Sequence, residues 1–265
     1  MNRLQGRSGF TLVELAIVLV IIGLLVGGVL VGQDLIKAAT IRSTVSDIEK
    51  SNAAATTFRT KYSGLPGDLL STRATEYGLL TATGRTGAAG MGDGNGLIES
   101  CAAGTVTAVG CETALFWVDL STAALISQKL NTYDSSATIP ATIAASSMSS
   151  YLPKQKLRDT AFLMAFSASG KNYFFLGGGS QATSAFTGAA AVTPGEARSI
   201  DEKFDDAYPT TGVVVSESTT LGTADAGATT TSSTCMQGTA SPKVYNVLDA
   251  NINNVNCMLA LRTNF

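Results

Sequence analysis

Residues 8–31 read SGFTLVELAIVLVIIGLLVGGVLV, and this stretch decides how the rest of the chain is organised. From Phe10 to Val31 it has 22 residues, one charged side chain, Glu14, and no proline. At about 1.5 Å per residue, a helix of this length spans roughly 33 Å, and the hydrocarbon core of a bilayer is ~30 Å thick. Because lipid offers the backbone no hydrogen bonds, the stretch is predicted to cross a membrane as an α-helix.

The segment before the apolar run differs from an ordinary membrane anchor. This segment, residues 1–9, is short and polar, and it carries two positively charged side chains, Arg3 and Arg7. The next six residues form the string Gly9-Phe10-Thr11-Leu12-Val13-Glu14. This string resembles the processing site of type IV prepilins and type II secretion pseudopilins. The resemblance implies that a prepilin peptidase cleaves between Gly9 and Phe10 and methylates the new amino terminus of Phe10.

The close resemblance covers residues 1–55, and looser resemblances lie further on. The segments LPGD, GDGNG and I-D-x-K-x-D-D-x-x-P-x-x-G look like those of large bacterial pilin-like proteins. The family resemblance implies a single-pass protein of the bacterial inner membrane with its head in the periplasm. It also implies that other pilin or pseudopilin subunits are its partners in a filament at the cell surface.

Glu14 needs a positive partner if it lies in lipid, because a carboxylate on a spanning helix costs about 3 kcal/mol on insertion scales. Lys and Arg are absent from Phe10 to Gln33. Cleavage after Gly9 would supply an ammonium group at Phe10, about one helical turn away. The resemblance implies that Glu14 also pairs with the amino terminus of a neighbouring subunit and sets its register. The alternative is an unpaired glutamate at the level of the lipid headgroups.

Four glycines within residues 23–32 fall at helical spacing and form two G-x-x-x-G steps: Gly23 and Gly27, then Gly28 and Gly32. Such steps let helices approach closely, which predicts packing in a filament core. The alternative is that glycine is simply common in membrane helices.

The helix is predicted to continue beyond the membrane, because residues 33–62 contain no proline or glycine. A glycine C-cap and a proline within Ser63-Gly64-Leu65-Pro66 are expected to end it. The predicted organisation is a leader at 1–9, a transmembrane or filament-core helix at 10–32, an amphipathic continuation at 33–62 and a globular head at 63–265. A narrow apolar stripe is predicted to face the head: Ile41, Val45, Ile48, Ala55, Phe58 and Tyr62. A secretory signal cut after Ala39 is the alternative, and it would release a soluble head.

The head is predicted to be α+β, with helices and an antiparallel sheet joined by long loops. Helices are expected within 69–79, within 112–130 and from Thr193, where a capping box begins. Strands are expected at 161–167, 172–176, 212–216, 243–248 and 256–261, and loops at 131–150, 177–192 and 217–234.

Composition excludes several classes of function. The formal net charge is −2, which argues against nucleic-acid binding through a basic patch. Histidine is absent, which removes the commonest general base and most catalytic zinc sites. No catalytic constellation emerges from the spacing of the remaining residues, so we expect no enzyme.

The cysteines indicate disulfides in an oxidising compartment. There are four, none in C-x-x-C spacing, and they are Cys101, Cys111, Cys235 and Cys257. Of the three pairings, we prefer Cys101–Cys111 with Cys235–Cys257, because each closes a local loop. The alternative is four reduced thiols.

One loop is a candidate calcium site: Asp93, Asn95 and Glu99 place oxygen ligands between glycines. The full calcium-loop pattern is missing, so a tight polar turn without a cofactor is the competing interpretation. A second acidic group, Asp201, Glu202, Asp205 and Asp206, is expected to be a solvated helix face.

These observations favour a structural subunit, a minor pilin or pseudopilin that is processed and then assembles through its N-terminal helix. A membrane-anchored periplasmic ligand-binding module or enzyme, with residues 10–31 as a simple anchor, is the alternative.

Overall fold

The computed structural model of the chain describes residues 11–79, 92–99, 112–130, 149–179, 188–217, 235–237, 243–248 and 254–265. The predicted loops at 131–150, 177–192 and 217–234 lie partly outside these ranges. The predicted fold class is confirmed: a long N-terminal helix leads into a head with an antiparallel sheet.

The first helix, α1, is a single element of 51 residues, Leu12–Tyr62, as the continuous pattern of the sequence predicts. It ends at Ser63, which takes the left-handed conformation with φ of 53°. The prediction of a glycine C-cap at Gly64 is therefore wrong by one residue. Gly64 instead allows close packing, because a Cβ atom at this position would lie 2.6 Å from the Cδ2 atom of Leu69.

The two halves of α1 have different surroundings. Residues 11–39 are exposed apart from Gly32, whereas buried side chains begin at Thr44. The predicted apolar stripe is confirmed on the head side, although Ile41 and Val45 are only partly buried. Small polar residues share this face, and Ser51 is buried because its hydroxyl donates to the Asp47 carbonyl at 2.7 Å. The buried set is Thr44, Ile48, Ser51, Ala54, Ala55, Phe58 and Tyr62.

The head is built on an antiparallel sheet. Its strands are β1 (Ala161–Ala168), β2 (Lys171–Gly179), β3 (Gly188–Ala189), β4 (Val214–Glu217) and β7 (Met258–Arg262). Their order is β1-β2-β7-β4, and β3 pairs with the end of β2 beside Gly178. A separate two-stranded sheet joins β5 (Met236–Gln237) and β6 (Val244–Tyr245).

Three short helices belong to the described part of the head. They are α2 (Ser71–Glu76), α3 (Glu112–Thr122) and α4 (Pro194–Phe204). Helix α4 begins with the predicted capping box, in which Thr193 and Glu196 exchange hydrogen bonds. Helix α3 contributes Phe116 and Trp117 to an aromatic cluster with Phe174 of β2. Both α3 and α4 pack on α1, so the head is attached to the long helix at two places.

Several predicted bounds differ from the structure. Helix α3 stops at Thr122 because Ala124 takes a left-handed conformation with φ of 54°, so the predicted helix to residue 130 is too long. The loop predicted at 177–192 contains the end of β2 and all of β3. The strand predicted at 243–248 is reduced to Val244–Tyr245.

One predicted disulfide is confirmed. Cys235 and Cys257 are bonded, with a Cα–Cα distance of 5.1 Å, and tie the β5–β6 hairpin to the start of β7. The other predicted partners, Cys101 and Cys111, lie outside the described residues.

Phe58 lies in the packed half of α1: its ring is fully buried, and its centroid is 4.3 Å from that of the Tyr62 ring. A substitution of Phe58 therefore tests how the head is attached to α1. We expect Phe58→Ala to lower the free energy of unfolding by about 3–5 kcal/mol. Denaturant unfolding of the full chain in detergent measures this change. The control is Thr57→Ala on the exposed side of the same turn, where we expect a change within about 0.5 kcal/mol. Equal effects of the two variants would contradict the assigned packing of α1.

Candidate functional site

The N-terminus of α1 is closed by a capping box that places the Glu14 carboxylate. Glu14 Oε2 accepts hydrogen bonds from the Thr11 N–H at 2.8 Å and from the Thr11 hydroxyl at 2.9 Å. In return, the Glu14 N–H donates to Thr11 Oγ1 at 3.3 Å. The carboxylate is thus turned back over the first turn of α1, onto Thr11. Gly9 and Phe10 themselves lie outside the described residues.

Sequence reasoning missed this cap, although its signal is present. Thr11 and Glu14 stand three residues apart directly before an apolar run, which is the capping-box pattern. The cap gives Glu14 a local structural role as well as the predicted role in assembly. The cap does not prevent Glu14 from also pairing with an ammonium group at a processed amino terminus, because a carboxylate has further acceptor positions.

The apolar half of α1 is bare in the single chain. A side chain at Gly23, Gly27, Gly28 or Gly32 would meet no atom within 4 Å. The large apolar residues around them are exposed as well, for example Leu12 at 88% and Leu24 at 73%. By length and composition, α1 is able to cross a membrane. The role of the four glycines in helix packing stays a prediction.

In the head, three carboxyl groups meet where two glycine-rich loops dock on α3. Oxygens of Asp68, Asp93 and Glu112 lie within 4.8 Å of one another, and we call these residues the acidic clamp. Asp68 follows the tight turn at Gly67, where φ is 85°. The N–H of Gly67 donates to Asp119 of α3 at 2.7 Å, which fixes this loop to the helix.

The acidic clamp holds the second loop, residues 92–99, through its backbone. Asp68 accepts from the N–H groups of Gly94 at 2.7 Å and Gly96 at 2.8 Å. Glu112 accepts from the N–H groups of Gly92 at 2.6 Å and Glu99 at 2.8 Å. Burial of the charges opposes ionisation: it raises the pKa of Asp68 to about 6 and the pKa of Glu112 to about 8. A proton or a cation is therefore needed to neutralise this site near pH 7.

The predicted calcium ligands are only partly brought into this site. Asp93 belongs to the acidic clamp, whereas Asn95 bridges outward by donating to Asp93 at 3.0 Å and to Glu99 at 2.9 Å. Asp68 and Glu112 were not predicted as ligands, because they are 44 positions apart in the sequence. The motifs LPGD and GDGNG were the available signal: the assumption that these two segments contact each other would have predicted Asp68 as a ligand.

The prediction of a solvated acidic face at Asp201 is wrong. Asp201 is fully buried and accepts a hydrogen bond from the Tyr245 hydroxyl at 2.8 Å. Its neighbours Asp205 and Asp206 bring carboxylate oxygens within 4.8 Å, and we call these three residues the Asp201 cluster. Burial comes about because Tyr245 of β6 covers this end of α4, which a helix-face argument does not anticipate.

These features define a class of protein: an α+β head carried on a long helix whose first half is bare and apolar and is able to cross a membrane. The family model of the prokaryotic N-terminal methylation motif matches residues 4–30. This match supports the type IV pilin and pseudopilin type of protein, and it covers the N-terminal segment alone. No curated protein and no solved structure matches the chain.

Calcium binding at the loop of Asp93 stays a prediction. If the cation binds there, we expect millimolar calcium to raise the melting temperature of the full chain in detergent by a few degrees, because bound ligand stabilises the native state. Differential scanning fluorimetry with and without EDTA measures the shift. Asp93→Asn should reduce it, while Asp159→Asn, an exposed acid elsewhere in the head, should not. An absent shift in the unaltered chain would exclude calcium.

Proposed function

We propose that the chain is a structural subunit, a minor pilin or pseudopilin, which assembles through α1 into a type IV pilus or a type II secretion pseudopilus. The observation that carries the proposal is the combination of the methylation motif with a helix that is bare and apolar in one half and packed on a head in the other. A simple membrane anchor would need only the first half of α1. Because α1 continues without a break under the head, the position of its apolar half also determines the position of the head.

The bare half of α1 supports assembly by packing. Outside a bilayer, its apolar side chains need another apolar surface, and copies of the same helix provide one. The glycine positions leave space for close approach, since nothing in the single chain occupies it. In this proposal the helices replace lipid by one another as the subunit leaves the membrane.

The amino terminus supports assembly by charge. Cleavage by a prepilin peptidase between Gly9 and Phe10 would create an ammonium group beside Glu14. Opposite charges within a few ångströms attract strongly where water is excluded. The proposal assigns Glu14 to this pairing, in its own chain and with the neighbouring subunit.

Two features support a single pass with the head in the periplasm. Arg3 and Arg7 lie before the apolar run, and positive residues favour the cytoplasmic side. The Cys235–Cys257 disulfide is typical of an oxidising compartment. The head follows from residue 63 on, and its size leaves room for a binding surface at a filament tip.

Catalysis has no part in this proposal. The chain has no histidine. An open cleft of about 450 Å³ lies at the end of α1, and Arg59 is the one ionisable side chain among the described residues that line it. The side chains of these lining residues include neither a general base nor a nucleophile with an activating partner.

Processing is tested by Gly9→Val. We expect the β-branched side chain at the cleavage position to block the peptidase, so that the chain keeps its first nine residues. Mass spectrometry of the mature N-terminus distinguishes methylated Phe10 from intact Met1. Gly6→Val, in the same leader, is the control and should be processed normally. A methylated Phe10 in the Gly9→Val variant would contradict the cleavage site.

Assembly is tested by Glu14→Ala in the processed chain. We expect normal membrane insertion and at least a tenfold loss of incorporation into sheared filaments, which corresponds to ~1.4 kcal/mol of pairing energy. Quantitative immunoblots of membrane and filament fractions measure both. Asp34→Ala is the control, because Asp34 is an exposed acid of the same helix beyond the apolar run. Incorporation of Glu14→Ala at the level of this control would contradict the pairing.

A further inference from the structure

The Asp201 cluster joins three parts of the head at the end of α4. Asp201 Oδ1 accepts from the N–H of Ala207 at 3.2 Å, and Oδ2 accepts from the hydroxyl of Tyr245 on β6 at 2.8 Å. Asp205 accepts from the N–H groups of Val213 and Val214, at the start of β4. Helix α4 itself packs on α1, β4 and β6, so the cluster lies where the long helix, the main sheet and the β5–β6 hairpin meet.

Carboxylate oxygens of Asp201 and Asp205 lie within 4.8 Å of each other, and Asp201 is fully buried. Two carboxyl groups that share a buried site do not both ionise, so one of the two holds a proton. Asp201 is the protonated partner, because burial and the hydrogen bond with Asp205 raise its pKa to about 8. Burial acts against ionisation of Asp205 too, but the hydrogen bonds from Asp201 and from backbone N–H groups hold the pKa of Asp205 below its usual value.

Among the described residues, the other groups that act on the pKa of Asp201 are the Asp206 carboxylate and the Tyr245 hydroxyl, and neither is a cation. Asp206 adds a negative charge and is occupied by the N–H of Tyr208 and the hydroxyl of Thr211. Burial raises the pKa of Tyr245, which therefore stays a neutral donor. Lys203, on α4, is exposed. The described side chains form ion pairs between Lys50 and Asp47, Lys154 and Asp159, and Arg158 and Glu196, and none of these pairs includes a residue of the Asp201 cluster. Lys243, before β6, is half-buried.

We propose that the proton shared by Asp201 and Asp205 is a pH-sensitive latch, which fastens the β5–β6 hairpin and the turn at residues 206–213 to α4. When the latch opens, Asp201 becomes solvated and its pKa returns to about 3.9. The closed form therefore binds one more proton than the open form between that pKa and a pH of about 8. A rise in pH across this range favours the open form, and the effect levels off above it.

Hydrogen–deuterium exchange of the full, oxidised chain in detergent tests the latch. The reporter is the segment 243–248, in which the Asn246 N–H donates to the Cys235 carbonyl at 2.8 Å. The internal reference is the paired part of β1 and β2, residues 161–176. Protection factors already correct for the intrinsic pH dependence of exchange. We expect the reporter to lose protection relative to the reference by up to about tenfold per pH unit from pH 5 to 8.

Three variants separate the latch from general destabilisation. Asp201→Asn keeps the shape and carries a permanent hydrogen-bond donor towards Asp205, so the pH dependence of the reporter should disappear. Tyr245→Phe removes a hydrogen bond that favours the ionised form of Asp201, so the levelling-off should move to a higher pH. Asp159→Asn, whose side chain is 98% exposed, should behave like the unaltered chain.

The inference is independent of filament assembly and is overturned in three ways. A reporter whose protection does not change with pH in the unaltered chain would contradict it. An equal pH dependence in Asp201→Asn would show that other groups are responsible, even if Tyr245→Phe fails to fold. If 5 mM calcium chloride abolishes the pH dependence while EDTA restores it, a metal ion rather than a proton closes the cluster.

Discussion

The apolar surface of the first half of α1 is the constraint on which the rest of the molecule depends. Seventeen large apolar side chains between Leu12 and Ile36 are half or more exposed in the single chain. Covering one such side chain is worth roughly 1.5–3 kcal/mol, so the whole surface represents tens of kcal/mol. A folded domain is stabilised by only about 5–15 kcal/mol. Lipid or other helices must therefore cover this surface, and the head cannot, because it begins to contact α1 only near Ile41.

The second half of the same helix solves a different problem with different residues. Apolar positions such as Ile48 and Phe58 alternate with small ones such as Ala55, which lets the sheet and short helices of the head approach closely. Threonines on the opposite side donate to carbonyls four residues earlier, for example Thr57 to Ala53 at 2.7 Å. One helix thus continues without a break from a half whose apolar side chains are exposed in the single chain to a half that packs on the head, and residues 37–62 expose no large apolar side chain.

Much of this architecture could be predicted from the sequence, because it depends on patterns of residues that are close together in the chain. The length of α1 follows from an uninterrupted apolar run and a helical repeat, and the β1–β2 hairpin follows from two apolar strands around Ser169 and Gly170. The details that failed depend on distant partners. Ser63 rather than Gly64 ends α1, since Leu69 folds back against Gly64. The pairing of β3 with β2 joins glycine-rich segments that carry no strand signal.

The candidate sites divide in the same way. The motif around Glu14 is contiguous, so the sequence locates it completely, and even its missed cap at Thr11 is a local pattern. The acidic clamp is different, because Asp68, Asp93 and Glu112 come from separate loops and one helix that only the fold brings together. Asp201 belongs to the same category, since its burial depends on Tyr245, 44 residues later.

Both acidic groups of the head raise the question of what balances buried negative charge in a chain with few charged residues. A proton and a cation satisfy the same oxygens, but they respond oppositely to pH. A shared proton is lost as pH rises, which weakens the contact, whereas a cation binds better as the carboxylates ionise. The pH dependence of each cluster thus identifies its occupant without a bound ion in view. Glu112 and Asp201 are both fully buried, but their hydrogen-bond partners differ. Glu112 accepts from backbone N–H groups of a loop, whereas Asp201 accepts from the hydroxyl of Tyr245. One cluster can therefore hold a proton while the other holds a cation.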